Sequence, residues 1–280
     1  MSASSATTAG VASPGPAASA GLWPRVRAPR LFIGVVGTIV ALSWIALVLW
    51  SWSPYSRFLS HEGVGDVAAF SDDYAALFVV FVAGWTLMTV AMMLPTSLPL
   101  LAFFQSLVRT RPDRVSLVAL LVTGYLSVWI AFAMVVHAGD QGIHAAVERS
   151  GLLEENVWVI PAATFVVAGL YQFSSLKYSC LTVCRSPVAF VMQSWRGAAR
   201  RDALRLGLHH GLVCAGCCWA LMLLMFALGV GSIVWMLALS AVIATEKNAS
   251  WGRRLSSPLG ALLIVGGLVL ALAGALGGTV

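Results

Sequence analysis

Seven apolar runs, each near the length that crosses a lipid bilayer, leave this 280-residue chain few folds to choose from. They cover 31–52, 75–103, 115–136, 157–175, 208–228, 232–245 and 259–276. A helix needs about 20 apolar residues to cross the hydrocarbon core. Inside lipid a single segment must satisfy its own backbone hydrogen bonds, which a helix does. The runs therefore predict an all-α, polytopic transmembrane bundle of about seven spans. Only 10% of the residues are charged, against roughly 25% in a soluble domain, and the mean hydropathy is +0.89. The sixth run is short and only Gly229-Val230-Gly231 separates it from the fifth, so these two form a tight hairpin or one of them is re-entrant.

Residues 1–22 are mostly Ala, Ser, Thr, Gly and Pro and carry no charge, a composition that buries nothing and predicts a disordered tail. Residues 23–280 then form one transmembrane helical domain. Arg25, Arg27 and Arg30 precede the first run as in a signal peptide, but the run is long and no small-x-small site follows it, so it reads as an uncleaved first helix. Seven spans with the amino terminus inside place Arg25, Arg27, Arg30, Arg109, Arg111, Arg114, Lys177, Arg185, Arg196, Arg200, Arg201, Arg205, Lys247, Arg253 and Arg254 in the cytoplasm. That is 15 of the 17 Lys and Arg, leaving Arg57 and Arg149 outside. The positive-inside rule selects this orientation and predicts a multi-pass protein of the plasma (inner) membrane, in contact with membrane lipid. The pI near 9.4 then reports topology, and no nucleic-acid partner is required.

The chemistry-bearing residues are concentrated. All five cysteines lie between Cys180 and Cys218, as Cys180-Leu-Thr-Val-Cys184 and His209-His210-Gly-Leu-Val-Cys214-Ala-Gly-Cys217-Cys218. With the fourth helix ending near Lys177 and the fifth starting near Leu208, both clusters fall at the inner membrane boundary. The connector from Pro187 to Arg196 suits a short helix on the inner leaflet, with Phe190 and Trp195 as interfacial anchors. Cys180 and Cys184 are four apart and share a helix face, as do His210, Cys214 and Cys217. Cys214, Cys218, Met222 and Met225 form a second stripe, and Met88 and Met92 share a face just before Pro95 and Pro99. Thiolate and thioether sulfur select Cu(I), and thiolates with imidazole also suit Zn. The expected metal set is Cys180, Cys184, His210, Cys214, Cys217 and Cys218. Met88, Met92, Met222 and Met225 are the candidate metal path, and Tyr171, Gln172 and Lys177 the candidate supporting shell.

Plain packing accounts for isolated cysteines and methionines in apolar helices, and His209 and His210 could be polar caps. Clustering in two short windows sets the cysteines apart from that background. His61, His137, His144, Asp66, Asp72, Asp73, Asp140, Glu148, Glu154 and Glu155 are expected in solvated outer loops. Glu246 is expected to pair with the Arg-rich connector. No paired intramembrane carboxylates appear, which disfavours hydrolysis and makes an enzyme the weaker expectation, and no Gly-x4-Gly-Lys-Ser/Thr motif exists to couple nucleotide hydrolysis to movement. Thiol–disulfide exchange by the Cys214-Ala-Gly-Cys217 pair is the alternative chemistry, if a helix start activates the thiol. Against it, no cysteine stands on the outer side to complete a relay, and a reducing cytoplasm keeps thiols free for metal.

Several spaced motifs agree in order: Met88-x3-Met92-Met93-x-Pro95, Gly169-Leu-Tyr171-Gln172-Phe173-x2-Leu176-Lys177-x2-Cys180, Cys184-Arg185-x-Pro187, and Leu206-Gly207-Leu208-x-His210-Gly211-x2-Cys214-x-Gly216-Cys217-Cys218-Trp219. Over 74–247 the chain resembles the bacterial family of predicted metal-binding integral membrane proteins, copper chaperone-like. The resemblance implies a multi-spanning protein with a soft-metal site at the cysteines; a metal ion and a metal-donor or acceptor protein are the partners expected of such a site. It implies no reaction. His209 stands where the family pattern suggests a basic residue such as Arg.

Overall fold

The computed structural model describes residues 30–52, 74–150, 156–196, 200–228 and 232–277. The tail at 1–22, the link at 229–231, and His61, Asp66, Asp72, Asp73, Glu154 and Glu155 lie outside them. Among the described residues there are ten α-helices and no strand. In chain order they are α1 (Arg30–Ser51), α2 (Tyr74–Met93), α3 (Leu98–Leu107), α4 (Arg114–Arg149), α5 (Val159–Tyr171), α6 (Ser175–Cys184), α7 (Pro187–Ser194), α8 (Arg200–Leu228), α9 (Ile233–Asn248) and α10 (Ser256–Gly277).

Among the described residues, four helical stretches are long and apolar enough to cross a membrane: α1, α4, residues Arg200–Met225 of α8, and Gly252–Gly277, which contains α10. Two bent pairs raise the number to six if each is one span. The sixth apolar run forms α9, which at 16 residues is short for a crossing by itself. The third run continues well past residue 136, because α4 has 36 residues and so measures about 54 Å.

Both bends have local causes. Pro95 supplies no N–H, and the chain tightens into a 3₁₀ turn at Pro95–Ser97, bending α2 against α3 by 44°. The Met93 carbonyl left by that turn accepts from the hydroxyls of Thr96 (2.8 Å) and Ser97 (3.3 Å), the side-chain rescue that a buried, interrupted helix requires. The fourth run breaks between Tyr171 and Ser175, where the chain bends by 65°. Ser174 caps the restart, its hydroxyl accepting from the Leu176 N–H at 3.1 Å. Cys180 and Cys184 consequently ride on α6, a separate short helix, and the run is not one straight span.

Helix α8 is the hub, packed on α4, α5, α6, α7 and α9. Its close contact with α4 depends on two glycines. A Cβ at Gly207 would collide with the Leu121 carbonyl, and one at Gly124 with the backbone of Leu204 and Leu208, as in other close helix crossings built on small residues. The core at this hub collects Trp85, Met88, Met92, Met93, Tyr125, Trp129, Cys214, Cys217, Cys218, Met222, Met225 and Met236, all at most 2% exposed. Helices α1 and α10 turn Leu42, Ile45 and Leu49, and Leu262, Leu268 and Leu272, outward.

Three placements correct the sequence expectations. His137 is buried, its ring 4.9 Å from that of Phe81, because α4 carries it inside the helix rather than in a loop. Phe190 is also buried, lying 4.8 Å from the His209 ring, and Trp195 sits edge-on to Phe104 at 5.0 Å. Phe190, in α7, and Trp195, just after it, therefore pack against neighbouring aromatic rings instead of standing free as anchors.

Candidate metal centre

Helices α6 and α8 bring the two cysteine clusters into contact. Cys184 Sγ lies 3.8 Å from Cys217 Sγ. Cys180 packs against the backbone of α8 at Gly216, where a Cβ would come within 2.7 Å of the Cys180 sulfur. All five thiols are free. Within α8, the thiols of Cys217 and Cys218 both donate to the Cys214 carbonyl, at 3.1 and 3.0 Å.

The other two thiols of α8 face different partners. Cys218 Sγ is 3.8 Å from Met93 Sδ. Cys214 Sγ receives the Lys247 ammonium at 3.0 Å and lies 3.2 Å from the Tyr125 hydroxyl. The same ammonium reaches Thr96 Oγ1 at 3.4 Å and Met93 Sδ at 3.9 Å. Cys214 is thus held by a buried cation and a phenol from α9 and α4, whereas Cys184 and Cys217 face each other.

His210 is 4% exposed, and its Nε2 is 3.1 Å from Ser97 Oγ. With the Ser97 hydroxyl given to the Met93 carbonyl, Nε2–H is the donor and Nδ1 keeps its lone pair. Nδ1 has no hydrogen-bond partner among the described residues. His209 turns away toward Phe190. A cavity of about 500 Å³ reaches Ser97, Cys184, His210 and Lys247.

Of the candidate supporting residues, none has a hydrogen bond to a sulfur in the geometry described. The Tyr171 hydroxyl donates to the Gly216 carbonyl, and its ring meets Trp219 edge-on at 4.9 Å. Lys177 is fully buried; its ammonium donates to Gln172 Oε1 and to both Glu246 oxygens, at 2.9 and 2.8 Å. Ser256 adds a 2.7 Å hydrogen bond to the same carboxylate. The expected partner of Glu246 was the Arg-rich connector, and the structure assigns it Lys177 instead. Arg185 reaches the main chain of Glu246 and not its carboxylate, donating to the Glu246 carbonyl at 2.5 Å and to the Ser250 carbonyl at 3.1 Å. A desolvated carboxylate needs a partner equally withdrawn from water, and Lys177 is the one α6 delivers.

Sequence reasoning missed Tyr125, Lys247 and Met93. Tyr125 interrupts an otherwise apolar run and Lys247 follows an acid directly, which are usable signals. The orientation argument places Lys247 among the cytoplasmic charges, yet it is 6% exposed. Met93 becomes important because the Pro95 turn redirects the chain immediately after it. Met88, Met92, Met222 and Met225 are all buried in the shared core.

The premise of thiol–disulfide chemistry weakens on this geometry. Helix α8 starts at Arg200, so Cys214 stands about 21 Å along it, beyond the first turn in which a helix terminus acts on a thiol. Among the described residues no group of three or more His, Cys, Asp or Glu is arranged to hold a metal ion. What the residues provide is a close thiol pair, with thioether, phenol, imidazole and ammonium groups around the neighbouring sulfurs.

No curated protein and no solved structure matches the chain. Residues 82–270 match a family described as copper chaperone, PpoB2, a span that includes every cysteine, the Pro95 turn and the Lys177–Glu246 pair. The chain belongs to the PpoB2 copper chaperone family.

Proposed function

We propose that this protein is a multi-pass chaperone of the inner membrane, amino terminus in the cytoplasm, that takes Cu(I) as cargo between Cys184 and Cys217. The observation carrying the proposal is the 3.8 Å separation of their sulfurs. Two thiolates on one ion at metal–sulfur distances near 2.3 Å stand about 3.8 Å apart at a tetrahedral angle and about 4.6 Å apart when linear, so the pair lies at the short end of this range and reaches linear coordination by opening less than about 1 Å. Cu(I) accepts soft sulfur at low coordination number, and Zn requires three or four ligands. The thiol pair fits the first requirement and supplies only half of the second. Cys218 and Met93 are the next soft donors, while Cys180, Cys214 and His210 act after a local rearrangement that releases them from their present contacts. The buried Met88, Met92, Met222 and Met225 are proposed to carry copper onward to an acceptor protein.

Membrane insertion is supported by the outward aliphatic faces of α1 and α10 and by the asymmetric basic residues. The reduced, purified protein titrated with Cu(I) against a chromophoric chelator should retain about one ion per chain, as a single soft site implies. Cys184→Ser and Cys217→Ser should each lose it. Full retention by both variants, with the helical fold intact, refutes the pair as the site.

A further inference from the structure

The cavity beside Cys184 has a composition that the copper proposal does not explain. Its volume is about 500 Å³, and its wall includes Ser97, Cys184, Arg185, His210, Lys247 and Asn248. No Asp or Glu is among its lining residues. Two cationic residues, a serine and an asparagine therefore line the same space with no carboxylate among the described lining residues, a pattern that attracts anions. Arg185 gives one N–H to the Glu246 carbonyl and another to the Ser250 carbonyl, at 2.5 and 3.1 Å, so three of a guanidinium's five donors are left for a ligand. His210 lines the cavity with a buried Nδ1 that has no partner among the described residues. The volume suits a small molecule and is too small for a folded domain.

The geometry points to this cavity as a binding site for a small carboxylate-bearing thiol, which delivers Cu(I) to Cys184 and Cys217. The inference rests on the copper proposal and names the carrier that it requires. In a reducing compartment thiols stay reduced and soft thiolates take Cu(I), so the metal arrives bound to small thiols. Arg185 takes the carboxylates with its remaining N–H groups, Lys247 adds positive charge from the cavity wall, and His210 Nδ1 accepts from the carrier's S–H once the metal has left it. Cys184, in the cavity wall and 3.8 Å from Cys217, meets the metal first. Transfer is a ligand exchange with no redox change. Two bonds from Cu(I) to carrier sulfurs break and two to the cysteine sulfurs form. The two cysteine protons pass to the departing carrier sulfurs, which leave as thiols.

The test uses the full-length, reduced protein in detergent. Copper-free S-methyl-mercaptosuccinate, a dianion, and S-methyl-thioglycerol, which is neutral, are compared as protectants of Cys184 against a neutral maleimide, with the modified peptide quantified by mass spectrometry. Protection of about tenfold by the dianion alone is expected, the scale of electrostatic focusing in a cleft of one sign. Asn248→Asp, an isosteric change whose side chain otherwise bonds only the Ala244 carbonyl of its own helix, should abolish that protection. In stopped flow, Cu(I) should transfer faster from mercaptosuccinate than from thioglycerol, and the ratio should fall toward one in Asn248→Asp. Equal protection and equal rates with the two compounds overturn the inference and leave the copper proposal standing. Protection by the dianion in a protein that accepts Cu(I) from neither donor overturns the copper proposal and, with it, the delivery step.

Discussion

Glu246→Gln should be among the most destabilising isosteric changes available in this protein. The pair it breaks is withdrawn from solvent, with the Lys177 and Glu246 side chains 0% and 2% exposed. The ammonium is 2.9 and 2.8 Å from the two carboxylate oxygens. Removing one partner of such a pair strands the other and costs about 3–5 kcal/mol, or two to nearly four powers of ten in the folding equilibrium. The ammonium would keep Gln172 Oε1 and one amide oxygen, which places the loss toward the lower figure. Replacing both residues, as Lys177→Met with Glu246→Gln, removes the stranded charge and should recover most of the stability. Unfolding in mixed micelles with increasing sodium dodecyl sulfate measures all three variants beside the wild type. A coupling of about 2 kcal/mol or more is expected from the double-mutant cycle. Additive effects, or a Glu246→Gln loss below about 0.5 kcal/mol, would show that the pair does not clamp α6 to α9. Because Lys177 and Cys184 share α6, the single variant should also release Cu(I) faster than the wild type.

Gly207→Ala should cost about 1–3 kcal/mol, as overpacking does, because its Cβ meets the Leu121 main chain and backbone cannot rotate aside; an unchanged unfolding midpoint would contradict the close α4–α8 crossing. Cys180→Ser should weaken Cu(I) binding less than Cys184→Ser in chelator competition, since Cys180 packs on Gly216 and Cys184 faces Cys217; the reverse order would move the site one turn along α6. Reporter fusions after Gly142 and after Arg201 should signal outside and inside respectively, and matching signals would reject the proposed orientation.

How much of this was legible beforehand depends on how far each feature reaches along the chain. Helicity follows from the apolar runs, since backbone satisfaction and hydrophobic length are properties of single segments. The bend after Met93 is signalled by Pro95, and Pro187 marks the start of α7. The clustering of sulfur was visible because its members are close in sequence. The fourth run, in contrast, gave no sign of its 65° bend, which depends on a Ser174 cap and on what α6 then packs against.

The amino-acid sequence by itself determined the helical class, the apolar segments, the uneven placement of Lys and Arg, and the two windows holding every cysteine. Tertiary structure alone decided that Cys184 meets Cys217, that Lys247 and Tyr125 hold Cys214, and that Lys177 takes Glu246. Those pairings join residues 33 to 89 positions apart. Helical periodicity assigns a face to each residue but does not choose the opposing helix or its register. That choice comes from how closely backbones approach at Gly124, Gly207 and Gly216, and from buried charges that must find one another once water is excluded.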